Sequence, residues 1–242
     1  MALTLMSLDV LRQLLPRGGG GKIMSLGYPD ILANEASIGQ LFGRDILENL
    51  KIHPDSEKII RWHGAQKVTD KIVEAHSFFA ALGYELEVVD IAAARGDEII
   101  VDLNEPCPEQ LHQKYRLVID GGTCEHCFNI AQAMKNLAMM VEEGGHVMQG
   151  NPLNYPNHGF YNLSPTFYYD FYLNNGFEIL FFRVVNDPVH NPKLFKVPAY
   201  DRSGFDGIPE KSSNFVIAKR LQVQDIVWPI QTKYKKNPNL HG

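Results

Sequence analysis

Cysteine is scarce in this chain. Cys107, Cys124 and Cys127 are the only three in 242 residues, too few to frame a disulfide scaffold, and their presence as a small set points to a reducing compartment. No apolar run reaches the length needed to cross a bilayer. The formal charge is -5 with acidic and basic residues interspersed, so the basic face needed for nucleic-acid binding is missing. The first residues, M-A-L-T-L-M-S-L-D-V-L-R-Q-L-L-P-R, lack the basic start, apolar stretch and small-residue cleavage site of a signal peptide. There is no internal repeat and no domain linker. These absences lead us to expect a soluble, cytoplasmic protein of one domain over 1-242, with no membrane or nucleic-acid partner. A homodimer is left open.

What is present centres on Y-R-L-V-I-D-G-G-T-C-E-H-C-F-N, residues 115-129. Tyr115 to Ile119 is an apolar run of strand length, and Asp120, Gly121 and Gly122 break it. A helical segment follows from Asn129 and stops at Gly144-Gly145. In open α/β sheets ligands bind outside the carboxyl ends of the strands. Asp, Thr, Glu and His at such an end therefore mark a site. The competing reading is a capped strand-to-helix turn.

The remaining chain alternates in the same way. The leucines at about 5-16 recur at helical spacing, with Ser7 as a cap, and Gly18 to Gly21 form a flexible link. Lys22 to Leu26 reads as a buried strand ending at Gly27-Tyr28-Pro29-Asp30. A helical insertion spans about 35-82. Ile38, Leu41, Phe42, Ile46, Leu47 and Leu50 share one face, Asp55-Ser56 starts a second helix, and Thr69 opens a third that Gly83 closes. His63 and His76 read as exposed or satisfied helix residues. Trp62 reads as core, with a lid as the alternative. Tyr84 to Val89 is a strand ending in Asp90, and Glu98 to Val101 a short one before Asp102-Leu103-Asn104. Gly144 to Gln149 is the strand after the central helix. A polar-aromatic loop occupies about 150-164, too long and too aromatic to be idle. Ser164-Pro165 opens a helix. Phe177 to Asn186 and Asn214 to Leu221 are the last strands, a candidate antiparallel edge pair. A tail from Gln222 turns basic near its end. The pattern predicts an α/β fold with a doubly wound, mostly parallel sheet.

In layout, Lys22 to Leu221 resembles the class I S-adenosylmethionine-dependent methyltransferases. V-I-D-G-G-T-C-E-H-C-F-N looks like that family's fourth-strand segment, and M-K-N-L-A-M-M-V-E-E-G-G-H-V-M is similar to its helix leading into the fifth strand. The resemblance implies a Rossmann-like, seven-stranded sheet with an antiparallel last strand and S-adenosyl-L-methionine as cofactor. It places Gly27 and Asp30 in the cofactor loop and Asp90 on the ribose. Asp102 and Leu103 would meet the adenine, and Asp120 and Gly121 the methionine part. The sequence departs from the family where Ser25, Pro29 and Ile31 stand at positions usually acidic or glycine. Proline offers no N–H there.

Methyl transfer needs in-line positioning and exclusion of water, and an oxygen or nitrogen nucleophile also needs a base. An imidazole titrates near neutrality. His158 in the aromatic loop and His126 after the fourth strand are the candidates, with Glu125 orienting His126 or the cofactor amine. Either histidine could instead order a loop. Tyr155, Asn157 and Tyr161 are the candidate substrate contacts, for a carbohydrate or natural-product intermediate. Cys124-Glu125-His126-Cys127 also raises a metal or dithiol reading, set against small side chains packed in a turn; no metal is expected. Two functions stand: a small-molecule methyltransferase, or a relative with this fold that binds a nucleoside or acts as a scaffold without transferring methyl groups.

Overall fold

The computed structural model describes residues 2-196, 200 and 207-235. The end of the basic tail, 236-242, lies outside the described residues. Among the described residues, ten strands and seven helices occur in chain order. Strand β1 (Ala2–Thr4) leads into α1 (Leu5–Leu14), then β2 (Lys22–Leu26) and β3 (Asp30–Leu32). Helices α2 (Glu35–Phe42), α3 (Ser56–His63) and α4 (Ala75–Leu82) precede β4 (Glu85–Asp90) and β5 (Ile99–Ile100). The centre is β6 (Tyr115–Asp120), a short 3-10 turn (Cys124–His126), α5 (Ile130–Met140) and β7 (Val141–Pro152). Last come α6 (Pro165–Asn174), β8 (Phe177–Asn186), β9 (Lys193–Phe195), β10 (Ser213–Arg220) and α7 (Thr232–Lys235).

The main sheet runs β5-β4-β2-β6-β7-β10-β8-β9. The pairs from β5 through β7 are parallel, whereas β10 is antiparallel to both β7 and β8. The expected pair of final strands thus sits inside the sheet edge, with β10 inserted beside β7. The sheet has eight strands rather than seven, because β9 adds to β8 through Val184, Val185 and Asn186. This short pairing carries no periodic apolar signal. A separate two-stranded sheet joins β1 to β3.

Both faces of the sheet are covered, which explains the near-continuous apolar strands. Along β2 and β6, alternate residues serve opposite cores. Ile23, Leu117 and Ile119 pack with α1, α2 and α4 through Leu11, Ile38 and Phe78. Met24, Leu26 and Val118 pack with α5 and α6 through Met134, Leu137 and Phe171. The period of two is the pleat itself.

Several boundaries differ from the sequence reading. Thr4, not Ser7, occupies the N-cap of α1, since β1 runs straight into the helix. The four-glycine link is pinned: Gly18 N donates to Leu82 O at 2.9 Å and Tyr84 Oη donates to Pro16 O at 2.8 Å. The apolar face of 38-50 is broken at Gly43, beyond which the chain is a 3-10 turn. Thr69 closes a local turn on Lys71 O at 2.6 Å, and α4 starts only at Ala75. Val73 is held in bridges to Ile31 and Ile52, and the Glu74 carboxylate caps α4 by accepting from His76 N and Ser77 N. Helix α5 ends at Met140, short of the Gly-Gly pair. The buried Arg220 guanidinium donates to Ala138 O (2.8 Å) and Val141 O (2.6 Å), satisfying terminal carbonyls and letting Val141 start β7.

Candidate functional site

The strand order reverses between β2 and β6, so the crevice expected to bind a ligand opens at their carboxyl ends. Thr123 Oγ1 donates to Leu26 O at 2.5 Å and ties the two ends together. On the β2-β4-β5 side, Gly27 turns with φ of 84°, a conformation a side chain would resist, and its N–H donates to Val89 O at 2.8 Å. Asp90 stands half-exposed at the end of β4. Its Oδ1 accepts from Ala92 N at 3.3 Å, and its Oδ2 has no partner among the described residues. Asp102 caps its own loop, accepting from Asn104 N (2.9 Å) and Nδ2 (2.8 Å), and these bonds hold its carboxyl below the usual range. Asn129 bonds Asn104 in turn, tying this loop to the start of α5. The Leu103 side chain is buried in the core. Asp30 faces away from this cluster toward a large groove, paired with Arg95 and His63, each at 3.0 Å.

That groove has a volume of about 1100 Å³ and is lined by Asp30, Asp55, Lys58, Trp62 and Arg95 among others. Trp62 is 82% exposed at its wall, so its default placement in the core is wrong. Indole is large and one face of α3 is free of packing, so nothing in the local pattern distinguishes rim from core. His63 is satisfied by Asp30, whereas His76 Nε2 lies 2.7 Å from Asp97 Oδ2 without the alignment of a hydrogen bond.

On the β6-β7 side, Asp120 is fully buried and fully engaged. Oδ1 accepts from Thr123 N at 2.8 Å and from Gly122 N and Cys124 N at 3.3 Å. Oδ2 accepts from Gln149 Nε2 (2.9 Å) and Asn151 Nδ2 (2.8 Å). The aspartate therefore shapes the turn that carries Gly121 and Glu125. Asn151 Nδ2 also donates to Glu125 Oε2 at 3.0 Å, while its Oδ1 accepts from Tyr168 Oη at 2.8 Å. Tyr172 Oη donates to Gln149 Oε1. Burial, then the Asp120 charge among others, pushes the Tyr168 phenol well up, so it remains a donor. Sequence reasoning missed Asn151, Gln149, Tyr168 and Tyr172. The available signal was polar residues two apart on a buried strand facing tyrosines four apart on a helix.

Glu125 has no exposed surface, and its Oε1 lacks a hydrogen-bond partner. His158 Nε2 lies 3.3 Å from it and His126 Nε2 3.9 Å. The structure thus brings together all three candidate catalytic residues. The aromatic loop is laid on Glu125 by Phe160 N, which donates to Glu125 O at 2.9 Å. A side chain at Gly159 would come within 2.9 Å of Glu125 Cγ, so only glycine permits this approach. Tyr155 stacks on His158 with centroids 4.8 Å apart. Tyr161 Oη donates to Phe128 O at 2.7 Å, and the exposed Phe128 and Phe160 rings meet edge-on. Asn157 is exposed in the turn with φ of 62°. A cavity of about 180 Å³ reaches this cluster, lined by Gly121, Gly122, Glu125, Gly150, His158 and Asn214 together with β1 residues. Asn214 is fully buried, and its Oδ1 also lacks a partner.

The three cysteines are free and buried. Burial, and after it the Asp120 charge, pushes the Cys127 thiol up to about 11. Cys124 is raised further by the same causes. Such thiols are poor nucleophiles, against the dithiol reading.

No family model and no curated protein matches the chain. Among solved structures it is similar to the branched-chain polyamine synthase from Thermus thermophilus, crystallised with N4-aminopropylspermidine and 5'-methylthioadenosine, at 13% identity and a TM-score of 0.42. That match covers 95% of this chain, which spans 60% of the synthase. It is also similar to the antibiotic-resistance methyltransferase Kmr, at 13% identity and a TM-score of 0.39 over 88% of this chain and 93% of that one. A third is the trans-methyltransferase CalH in complex with SAH, at 13% identity and 0.42 over 88% and 54%. The strand order, with its reversal at β2/β6 and its inserted antiparallel β10, is that of a class I methyltransferase-like fold. No helix among the described residues is long and apolar enough to cross a membrane.

Proposed function

We propose that this chain is an S-adenosylmethionine-dependent methyltransferase acting on a hydroxylated small molecule, a carbohydrate or natural-product intermediate. The observation that carries the reading is Asp90 at the end of β4, one strand from the reversal point, with one carboxylate oxygen unengaged beside the tight turn at Gly27. A nucleoside presents two ribose hydroxyls, and a half-exposed carboxylate at that strand end can accept both. Ile91, 68% exposed next to it, offers an apolar surface for a base. These residues fit the nucleoside end of the cofactor. When bound, the cofactor supplies an electrophilic methyl group on a sulfonium.

The rest falls to the second half of the crevice. Asp120 and Thr123 fix the turn at the reversal point. Glu125 Oε1 and Asn214 Oδ1 are buried acceptors without donors, and both residues line the cavity beside His158. Buried acceptors left unmet are costly, so the occupant should bring donors such as hydroxyls or amines. The fixed cluster orients the acceptor.

The alternative, nucleoside binding without transfer, is favoured by the course of the chain after Gly27. It enters β3 instead of a helix, Pro29 has no N–H, and Asp30 is consumed by Arg95 and His63. Calorimetric titration with S-adenosylmethionine and S-adenosylhomocysteine tests both readings. Saturable binding that falls at least about 10-fold in Asp90→Ala is expected, about 1.4 kcal/mol or more. No binding to folded protein would refute cofactor use. Binding without turnover across a panel of hydroxylated acceptors would favour the alternative.

A further inference from the structure

The Glu125 carboxylate poses a problem that the hydrogen bonds do not solve. It is wholly buried, and an ionised group in that position needs a compensating charge or a full set of donors. Asn151 supplies one donor to Oε2 and thereby turns Oε1 toward His126 and His158. Neither imidazole is aligned to donate to Oε1. The ligating atoms of Glu125, His126 and His158 all lie within 4.8 Å of one another. Ligands about 2.0–2.2 Å from a tetrahedral zinc lie roughly 3.3–3.6 Å apart. The Glu125–His158 separation of 3.3 Å already meets that spacing, and the 3.9 Å to His126 closes with a small rotation of a half-exposed ring.

We propose that Glu125, His126 and His158 form a binding site for a divalent transition-metal ion of the zinc type. Two imidazole nitrogens and one carboxylate oxygen are a borderline donor set suited to such ions. Local construction supports it. Gly122 has φ of 109°, and a side chain there would stand 3.1 Å from Oε1, so glycine keeps the space beside that oxygen clear. Gly159 lets the loop of His158 settle on Glu125. Asn151 orients the carboxylate as an outer partner, and Tyr155 stacks on the His158 ring. Three protein ligands leave positions open, and the 180 Å³ cavity that Glu125 and His158 line gives a small molecule access to them. On the methyl-transfer reading, which this last step rests on, an acceptor hydroxyl entering there would coordinate the ion and lose its proton more readily.

The test uses the full chain, stripped with a chelator and dialysed, titrated with Zn²⁺ by calorimetry and with Co²⁺ by visible absorption, without nucleoside or acceptor. One ion per chain is expected, with the d–d bands of a four- or five-coordinate Co²⁺ site. His126→Ala and His158→Ala should each weaken uptake by at least about 10-fold, the scale of even an outer-partner change. Both rings are half-exposed, so both variants should fold, which circular dichroism checks. His190→Ala, at an exposed histidine bonded to Asp187 and to Gly64 O, should leave uptake unchanged. No uptake by folded protein, or full uptake retained in either histidine variant, would overturn the site and leave Glu125–His158 as an ion pair. A thiolate charge-transfer band with Co²⁺ would also overturn it, moving the ion to the cysteines. None of these outcomes depends on S-adenosylmethionine, so the metal site and the cofactor site stand or fall separately.

Discussion

Glu87→Gln should make the protein less stable at neutral pH and less sensitive to acid. Glu87 sits in β4 and is mostly buried, with 17% of its side chain exposed. Burial alone would raise its pKa. Hydrogen bonds from Lys22, Tyr115 and Lys114 (2.9 Å for Lys114) outweigh that and hold it down at about 2, against 4.5 for an ordinary glutamate. A lowered carboxylate pKa stabilises the fold above the unfolded value, and the gain is lost as pH falls through the folded one. A shift of about 2.5 units corresponds to ~3.4 kcal/mol, which partial screening of the lysine partners reduces to about 2–3 kcal/mol. By pH 3.5 about 1 kcal/mol of this should be gone, with the remainder lost towards pH 2. The assay is urea denaturation of wild type and variant between pH 7 and pH 3.5, comparing midpoints at unchanged slope. The gap between the two proteins should narrow as pH falls. A gap below about 0.5 kcal/mol at pH 7, or one constant across the range, would refute the reasoning.

Other perturbations probe the site and its supports. Asn151→Leu leaves Glu125 Oε2 and the Tyr168 hydroxyl without their partners, and should cost about 2–4 kcal/mol in urea unfolding. Arg220→Met strips the donors from Ala138 O and Val141 O. About 2–3 kcal/mol should be lost, with faster amide exchange where α5 meets β7. The native thiols should react with a disulfide reagent at pH 8 at least about 100-fold more slowly than free cysteine, and all three should titrate after unfolding. A native burst of one thiol would mean that Cys127 is open to solvent.

The sheet was legible wherever a largely apolar run of five residues or more forms the strand. Lys22–Leu26 and Phe177–Asn186 fall where their apolar runs do. Of the short strands, β5 was read within Glu98 to Val101, but β1, β3 and β9 were not: they have three residues each, too few for a period to show. The start of α4 was misplaced because Thr69-Asp70 closes a turn with the same chemistry that caps a helix. The end of α5 was hidden because Arg220, remote in sequence, sets it. In the site, residue type was legible and partnership was not. Glu125 and His158 stand out singly, but their 3.3 Å approach depends on Gly159 and Phe160. The commitment of Asp120 to the turn and to Asn151 depends on strand register. That register also determines which amides of β7 face inward.

The buried polar chain from Gln149 through Asp120 and Asn151 to Glu125 and Tyr168 has a consequence for how such a chain can diversify. Each member satisfies another, so a single replacement strands a neighbour. Drift at positions 120, 125, 149, 151 and 168 should therefore be concerted, with pairs exchanged together or not at all. The rim carries no such obligation: Asn157 and Phe160 are exposed. Lineages can retune what enters the crevice by altering that rim while inheriting its floor unchanged.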